Sequence, residues 1–219
     1  MKYVWGALVL ASVVVGSTFV WYRFGEQNVT FVGTAPRGRL GIGPPQGVAP
    51  TEGNILAAFG KAPDFSLTER NGKPFSKSDL KGSPWIADFI FTSCSGQCPL
   101  MSAQMKSLQN KFGPESGFRF ASFSVDPDRD TPEVLSQYAD RYEAQKQRWF
   151  FLTGPRTEIN RVLKEFFLSP VDQPAMHSIR FILVDGEGQI RGYYDSSDPQ
   201  SMNQLMKDAQ NISKSAGFS

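Results

Sequence analysis

Histidine is nearly absent from this chain of 219 residues: His177 stands alone, and cysteine occurs twice, as Cys94 and Cys98. A closed zinc site of four cysteines, or of two cysteines and two histidines, is excluded by counting. Two cysteines cannot build the multi-bridge framework of a small secreted scaffold either. A surplus of charge is missing as well. With 23 basic against 21 acidic residues the net charge is +2, too little for the positive field that wraps nucleic acid, so that class of partner is dropped. What the chain has in quantity is apolar and aromatic side chains, 40% and 13% of its residues with 18 phenylalanines. That is enough to pack a core and argues against disorder. The length allows one domain of ordinary size and some extra chain.

The extra chain lies at the amino-terminal end. From Tyr3 to Tyr22 there is no Asp, Glu, Lys or Arg, and a helix of that length, rising ~1.5 Å per residue, spans the ~30 Å hydrocarbon core of a bilayer. Tyr3, Trp5, Trp21 and Tyr22 sit where interfacial aromatics belong, with Lys2 and Arg23 outside them. The run is too long for the apolar core of a cleaved signal peptide, and Ser12 to Phe24 offers no small-residue cleavage site. Residues 1–24 are therefore expected to be an uncleaved transmembrane anchor. Its flanking charges orient it only weakly, because Arg23, Arg37 and Arg39 oppose Lys2. Residues 25–60, with the Gly- and Pro-crowded stretch from Thr34 to Asn54, read as a linker. A folded domain is expected over residues 61–219.

Within that domain strand and helix patterns alternate. Asp64–Thr68 and Lys73–Phe75 flank an Asn71-Gly72 turn signal and read as a hairpin. Trp85 to Thr92 is a nearly continuous apolar run of the kind found in strands buried on both faces. Cys98, Met101, Met105, Leu108 and Phe112 then recur at helical spacing, which explains the two methionines as core residues. Phe118–Val125 and Trp149–Leu152 read as strands. Thr131 with Pro132 marks a helix start. Pro155–Phe167 is a helix with Ile159, Val162, Leu163 and Phe166 inward. Ile179–Val184 and Gln189–Tyr194 form a second hairpin, and a last helix runs from about Pro199 to Ile212. The alternation predicts an α/β sandwich around a mixed sheet.

Cys94 follows the buried strand and Cys98 begins the next helix. A thiol at a helix N-terminus feels the positive end of the dipole, which favours the thiolate for nucleophilic attack or soft-metal binding. Residues four apart on a regular helix hold their Cβ atoms ~5 to 6 Å apart, too far for a relaxed disulfide. Cys94 is therefore expected in the loop before the helix, with Gly96 as a pivot between the two thiols. His177 precedes the strand that starts near Ser178, and α/β folds bring such strand ends to a common edge. Two thiolates and one imidazole make a three-donor soft site, suited to Cu(I) or zinc. Asp88 stands inside the apolar strand, where a buried carboxylate would have a raised pKa and could relay a thiol proton; an edge-exposed or hydrogen-bonded Asp is the alternative. Asp126, Asp128 and Asp130 alternate like a calcium loop, but Thr131 and Gln137 stand where Gly and Glu are needed. Met176, beside His177, is a further soft donor.

The span from Ala62 to Ile212 resembles the Sco/SenC family of membrane-anchored, thioredoxin-like copper proteins that assist cytochrome c oxidase assembly. The resemblance lies in PDFSLTERNGKPFSKSDLKGSPWIADFIFTSCSGQCP, FASFSVDPDRDTPEVLSQYADRY and HSIRFILVDGEGQIRGYYD. It implies a thioredoxin-like sandwich in which Cys94, Cys98 and His177 hold copper for a cytochrome oxidase subunit or another copper chaperone. It also implies that the domain faces the periplasm or cell exterior from a bacterial inner membrane, since no Arg-rich transit segment precedes the apolar run. Inside the motif this chain has Ser95, Gly96 and Gln97 where the family usually has C-P-D-x-C-P, which alters the loop's charge and stiffness. Asp126 and Asp130 match the family's VDP-x-x-DTPE stretch and are expected to shape a partner surface or cap a helix. A thiol-disulfide oxidoreductase with Cys94 attacking and Cys98 resolving is the alternative, and a docking factor without site chemistry is a third reading.

Overall fold

The computed structural model describes residues 58–167 and 179–217. The expected anchor and most of the linker lie outside these residues, as do Met176 and His177. Among the described residues no helix is long and apolar enough to cross a membrane.

The first hairpin forms as expected, with β1 (Ser66–Glu69) antiparallel to β2 (Pro74–Ser76) and Leu67 opposite Phe75. Gly72 closes its turn at φ +79°, a left-handed geometry that favours glycine. β3 (Trp85–Ile90) is buried at every residue. It pairs in parallel with β4 (Arg119–Ser124), which pairs in parallel with β5 (Trp149–Thr153). On its other side β3 pairs antiparallel with β6 (Arg180–Val184), and β6 with β7 (Ile190–Asp195). The order β2-β1-β5-β4-β3-β6-β7 is one mixed sheet of seven strands.

Parallel neighbours need crossover connections, and helices supply them. α1 (Gln97–Lys111) joins β3 to β4, and α2 (Pro132–Arg141) joins β4 to β5. Thr131 caps α2, accepting a hydrogen bond from the Val134 amide, with Pro132 in the first turn as anticipated. α3 (Arg156–Phe167) and α4 (Pro199–Ser215) complete the set. Asp198 caps α4 through the amides of Gln200 and Ser201, a start signal the apolar periodicity alone does not reveal. The short 3-10 turns at Lys77–Leu80 and Pro114–Ser116 are likewise unforeseen, being too brief to carry a period.

Side chains alternate across β3 and build two apolar layers. Trp85, Ala87 and Phe89 pack with Ile159, Val162, Leu163 and Phe166 of α3. Ile86 and Ile90 point the other way, against Met101, Met105 and Leu108 of α1, Leu135 and Tyr138 of α2, and Leu205 of α4. The two methionines are core residues, at 2% and 0% exposure. This is the α/β sandwich anticipated, and its consequence for the site is that β3 must deliver the chain to α1 at the sheet's edge.

Gly192 marks a tight point in β7. The Tyr194 ring, held by a 2.7 Å hydrogen bond from its hydroxyl to Asp208 Oδ2, lies across the place a Cβ would take. Gly192→Ala is expected to displace that ring and cost about 2 kcal/mol, the usual penalty for overpacking. Urea unfolding of both proteins checks this.

Candidate thiol and metal site

The segment between β3 and α1 carries both thiols. Phe91 to Cys94 forms a turn, with the Cys94 amide donating to Phe91 O at 3.2 Å. Gly96 then caps α1, and its amide donates to Cys94 Sγ at 3.4 Å. Cys94 therefore sits in the loop, as expected, half-buried at the helix entrance. Cys98 lies in the first turn of α1 at 1% exposure. The helix starts at Gln97, one residue earlier than anticipated. Both thiols are free. Gly96 has φ −108°, so left-handed geometry is not what it provides. A Cβ there would stand 3.9 Å from Cys94 Sγ, ordinary contact distance.

The two sulfurs differ electrostatically. Partial burial would raise the Cys94 pKa, but the amides of Cys98, Gly96 and Gln97 and the Cys98 thiol outweigh it and hold the group below the ordinary cysteine value. These amides are the unpaired N–H groups of a helix N-terminus, which favour a negative sulfur. Burial pushes Cys98 up to about 12; a backbone hydrogen bond from Phe91 opposes the rise, while the Cys94 sulfur and Asp88 add to it. One thiol is thus primed to ionise and the other is held neutral. Such a pair suits either of two tasks: attack followed by resolution, or capture of a soft cation whose charge draws the second proton off.

Residues 56–213 match the family model described as SCO1/SenC. The chain belongs to the SCO1/SenC family. Its sequence is 35% identical over 156 residues to the SCO1 protein homolog of Bacillus subtilis, covering 68% of this chain and 81% of that one. Its fold matches BsSco, a Sco-family cytochrome c oxidase assembly protein in which a disulfide switch was identified. There the TM-score is 0.64 and the identity 32%, over 74% of this chain and 99% of that one. It also matches ScoI of Arabidopsis thaliana, solved with copper bound, at a TM-score of 0.56 and 25% identity, over 68% and 98% of the two chains. The thioredoxin-like fold expected of a Sco protein is the one this chain adopts.

Among the described residues no group of three or more His, Cys, Asp or Glu is arranged to hold a metal ion. The two thiols form a pair, and the third expected donor, His177, lies outside the described residues. Asp88 is completely buried, which removes the edge-exposed alternative. It points from β3 between Ile86 and Ile90 into the layer beneath α1. No donor reaches either carboxylate oxygen at hydrogen-bonding geometry. Ser122, opposite Asp88 on β4, uses its Oγ to accept from Trp149 Nε1 at 2.9 Å. Burial raises the Asp88 pKa to about 7; the Ser122 hydroxyl and the local backbone lie close enough to offset part of the shift although neither makes a full hydrogen bond.

The acidic stretch after β4 divides in two. Asp126 pairs with Arg129 at 2.8 Å, and Arg156 with Asp128 at 2.5 Å, on the surface. Asp130 has no exposed surface at all. It shapes no partner surface; its carboxylate accepts from Thr92 and Ser124 instead. Thr92 is the residue the sequence reading missed. Its hydroxyl at the end of an apolar strand, two positions before Cys94, was the available signal. Leu100, at 60% exposure, is the exposed large hydrophobic side chain among the described residues and stands two positions after Cys98.

An acid whose pKa is higher in the folded than in the unfolded state weakens the fold as pH rises, because the unfolded chain ionises first. For Asp88 that loss runs between its ordinary value near 3.8 and about 7. Asp88→Asn is expected to match the natural protein near pH 4 and to exceed its stability at pH 8, by up to about 4 kcal/mol. Denaturation at both pH values decides, and a constant gap would contradict the buried acid's role.

Proposed function

We propose that this Sco protein is a membrane-tethered copper chaperone that holds Cu(I) through Cys94, Cys98 and His177 and passes it to a copper-receiving subunit of cytochrome oxidase or to another copper chaperone. The observation that carries the reading is the acidified Cys94 thiol at the entrance of α1 with Cys98 in the adjoining turn. Thiolates are the donors Cu(I) prefers, and an imidazole completes a three-coordinate shell without the fourth ligand of structural zinc. The copper-bound relative and the assembly-protein relative support the same reading. A disulfide has no thiolate to offer, so oxidation of the pair and copper capture exclude one another. A partner disulfide that takes two electrons and two protons from the metal-free thiols would close the bond and be reduced to a dithiol, leaving no thiolate to hold copper.

The split between the two thiols favours one second reading, a thiol-disulfide oxidoreductase in which Cys94 attacks and Cys98 resolves. Copper retention separates the two. The full chain, reduced and anaerobic, is titrated with Cu(I) against a competing chelator. One tightly held copper is expected, abolished by Cys94→Ser, by Cys98→Ser and by prior oxidation, and weakened about ten- to a hundred-fold by His177→Ala. Equal uptake by oxidised and reduced chains would reject the chaperone reading. Unchanged affinity in His177→Ala would remove that residue from the shell.

The tether is the run from Tyr3 to Tyr22, which we assign to a bacterial inner membrane with the domain on the periplasmic or outer side. A reporter fused after Ser219 that works only outside the cytoplasm is expected to be active, and one that works only inside is expected to be silent.

A further inference from the structure

The loop that presents Cys94 is held from outside itself. Thr92 occupies the second position of the turn Phe91–Cys94, and both its polar hydrogens go to one acceptor. Its hydroxyl donates to Asp130 Oδ1 at 2.5 Å, and its amide lies 3.2 and 3.3 Å from the two carboxylate oxygens. Ser124 Oγ donates to Oδ2 at 2.6 Å. Asp130 is fully buried, and among the described residues no cation pairs with it. Its oxygens are met by hydroxyl and amide donors alone, an arrangement worth keeping only where the geometry it enforces matters. Ser124 ends β4, already fixed by pairing with β3 at Ile90. Thr92 is beyond the last paired residue of β3, so its place depends on the carboxylate. The turn it belongs to touches both sulfurs: Phe91 offers a backbone hydrogen bond to Cys98, and Cys94 is the turn's last residue.

We infer that Asp130, through Thr92, is a positioning residue for Cys94: it locks the turn that holds Cys94 Sγ 3.4 Å from the Gly96 amide at the entrance of α1, and so sets how that sulfur is presented to an incoming reagent. The inference rests on the reading of Cys94 as the reactive thiol. Without the lock the turn is free to roll, and the sulfur leaves its place beside the Gly96 amide. Ser124 binds the same carboxylate from a strand already secured, so its loss should weaken the fold without moving the sulfur.

The test uses the reduced full chain at a fixed pH of about 7 with iodoacetamide as probe. The Cys94 thiolate attacks the methylene carbon, a sulfur–carbon bond forms and iodide leaves; mass spectrometry follows each cysteine separately. In the natural protein Cys94 is expected to react more than about ten-fold faster than Cys98. Thr92→Val is expected to slow Cys94 roughly five- to ten-fold, the rate equivalent of one ordinary hydrogen bond. Thr92→Ser is expected to restore the rate, and Ser124→Ala to leave it within two-fold while lowering the melting temperature. Should Thr92→Val fail to fold, Thr92→Ala removes the same hydroxyl with less bulk and is read in its place. A fast natural Cys94 with an unchanged Thr92→Val rate overturns the lock alone. Equal slowing by Ser124→Ala does so too, since the carboxylate would then serve only stability. Equal rates at Cys94 and Cys98 in the natural protein overturn the reactive-thiol reading and the lock with it.

Discussion

Burial of β3 on both faces is the constraint from which the rest of the domain follows. A strand with Trp85 and Phe89 on one side and Ile86 and Ile90 on the other can shed its apolar surface only between two layers. The layers come from α3 on one face and from α1, α2 and α4 on the other. Parallel pairing with β4 forces the connection to cross over the sheet, and the crossover is α1. The thiols sit where strand stops and helix starts, a place where unpaired helix amides are unavoidable. The amide environment of Cys94 is thus a by-product of how the core must be wrapped.

The same constraint explains why the two sulfurs differ. Cys98 belongs to the apolar face of α1, in line with Met101 and Met105, and packing hides it. Cys94 precedes the helix and keeps part of its surface.

Among the buried polar groups, two carboxylates bear on the thiol segment. Asp88 lies beneath α1 short of hydrogen bonds, an arrangement that raises its pKa to about 7, and its anion adds to the rise at Cys98. Asp130 is the opposite case, a buried carboxylate surrounded by donors. Two acids at equal burial thus do different work, one short of hydrogen bonds and one supplied with them.

Much of this was readable in the chain. The period of Cys98, Met101, Met105 and Leu108 named the inward face of α1, and the unbroken apolar run from Trp85 named the buried strand, because side-chain spacing follows directly from backbone geometry. The position of Cys94 outside the helix followed from the distance a disulfide allows. Strand alternation also put Asp88 on the side of Ile86 and Ile90, but whether that side was covered depended on helices elsewhere in sequence. The family's VDP-x-x-DTPE stretch suggests a partner surface or a helix cap at Asp126 and Asp130, and neighbouring residues carry no sign that Thr92, thirty-eight positions earlier, will be brought against Asp130. Local physics, spacing and turn chemistry, is written in neighbouring residues and was determined by the sequence alone; burial, and the choice of partner for a buried charge, belong to contacts between distant segments and were decided only when the chain closed on itself.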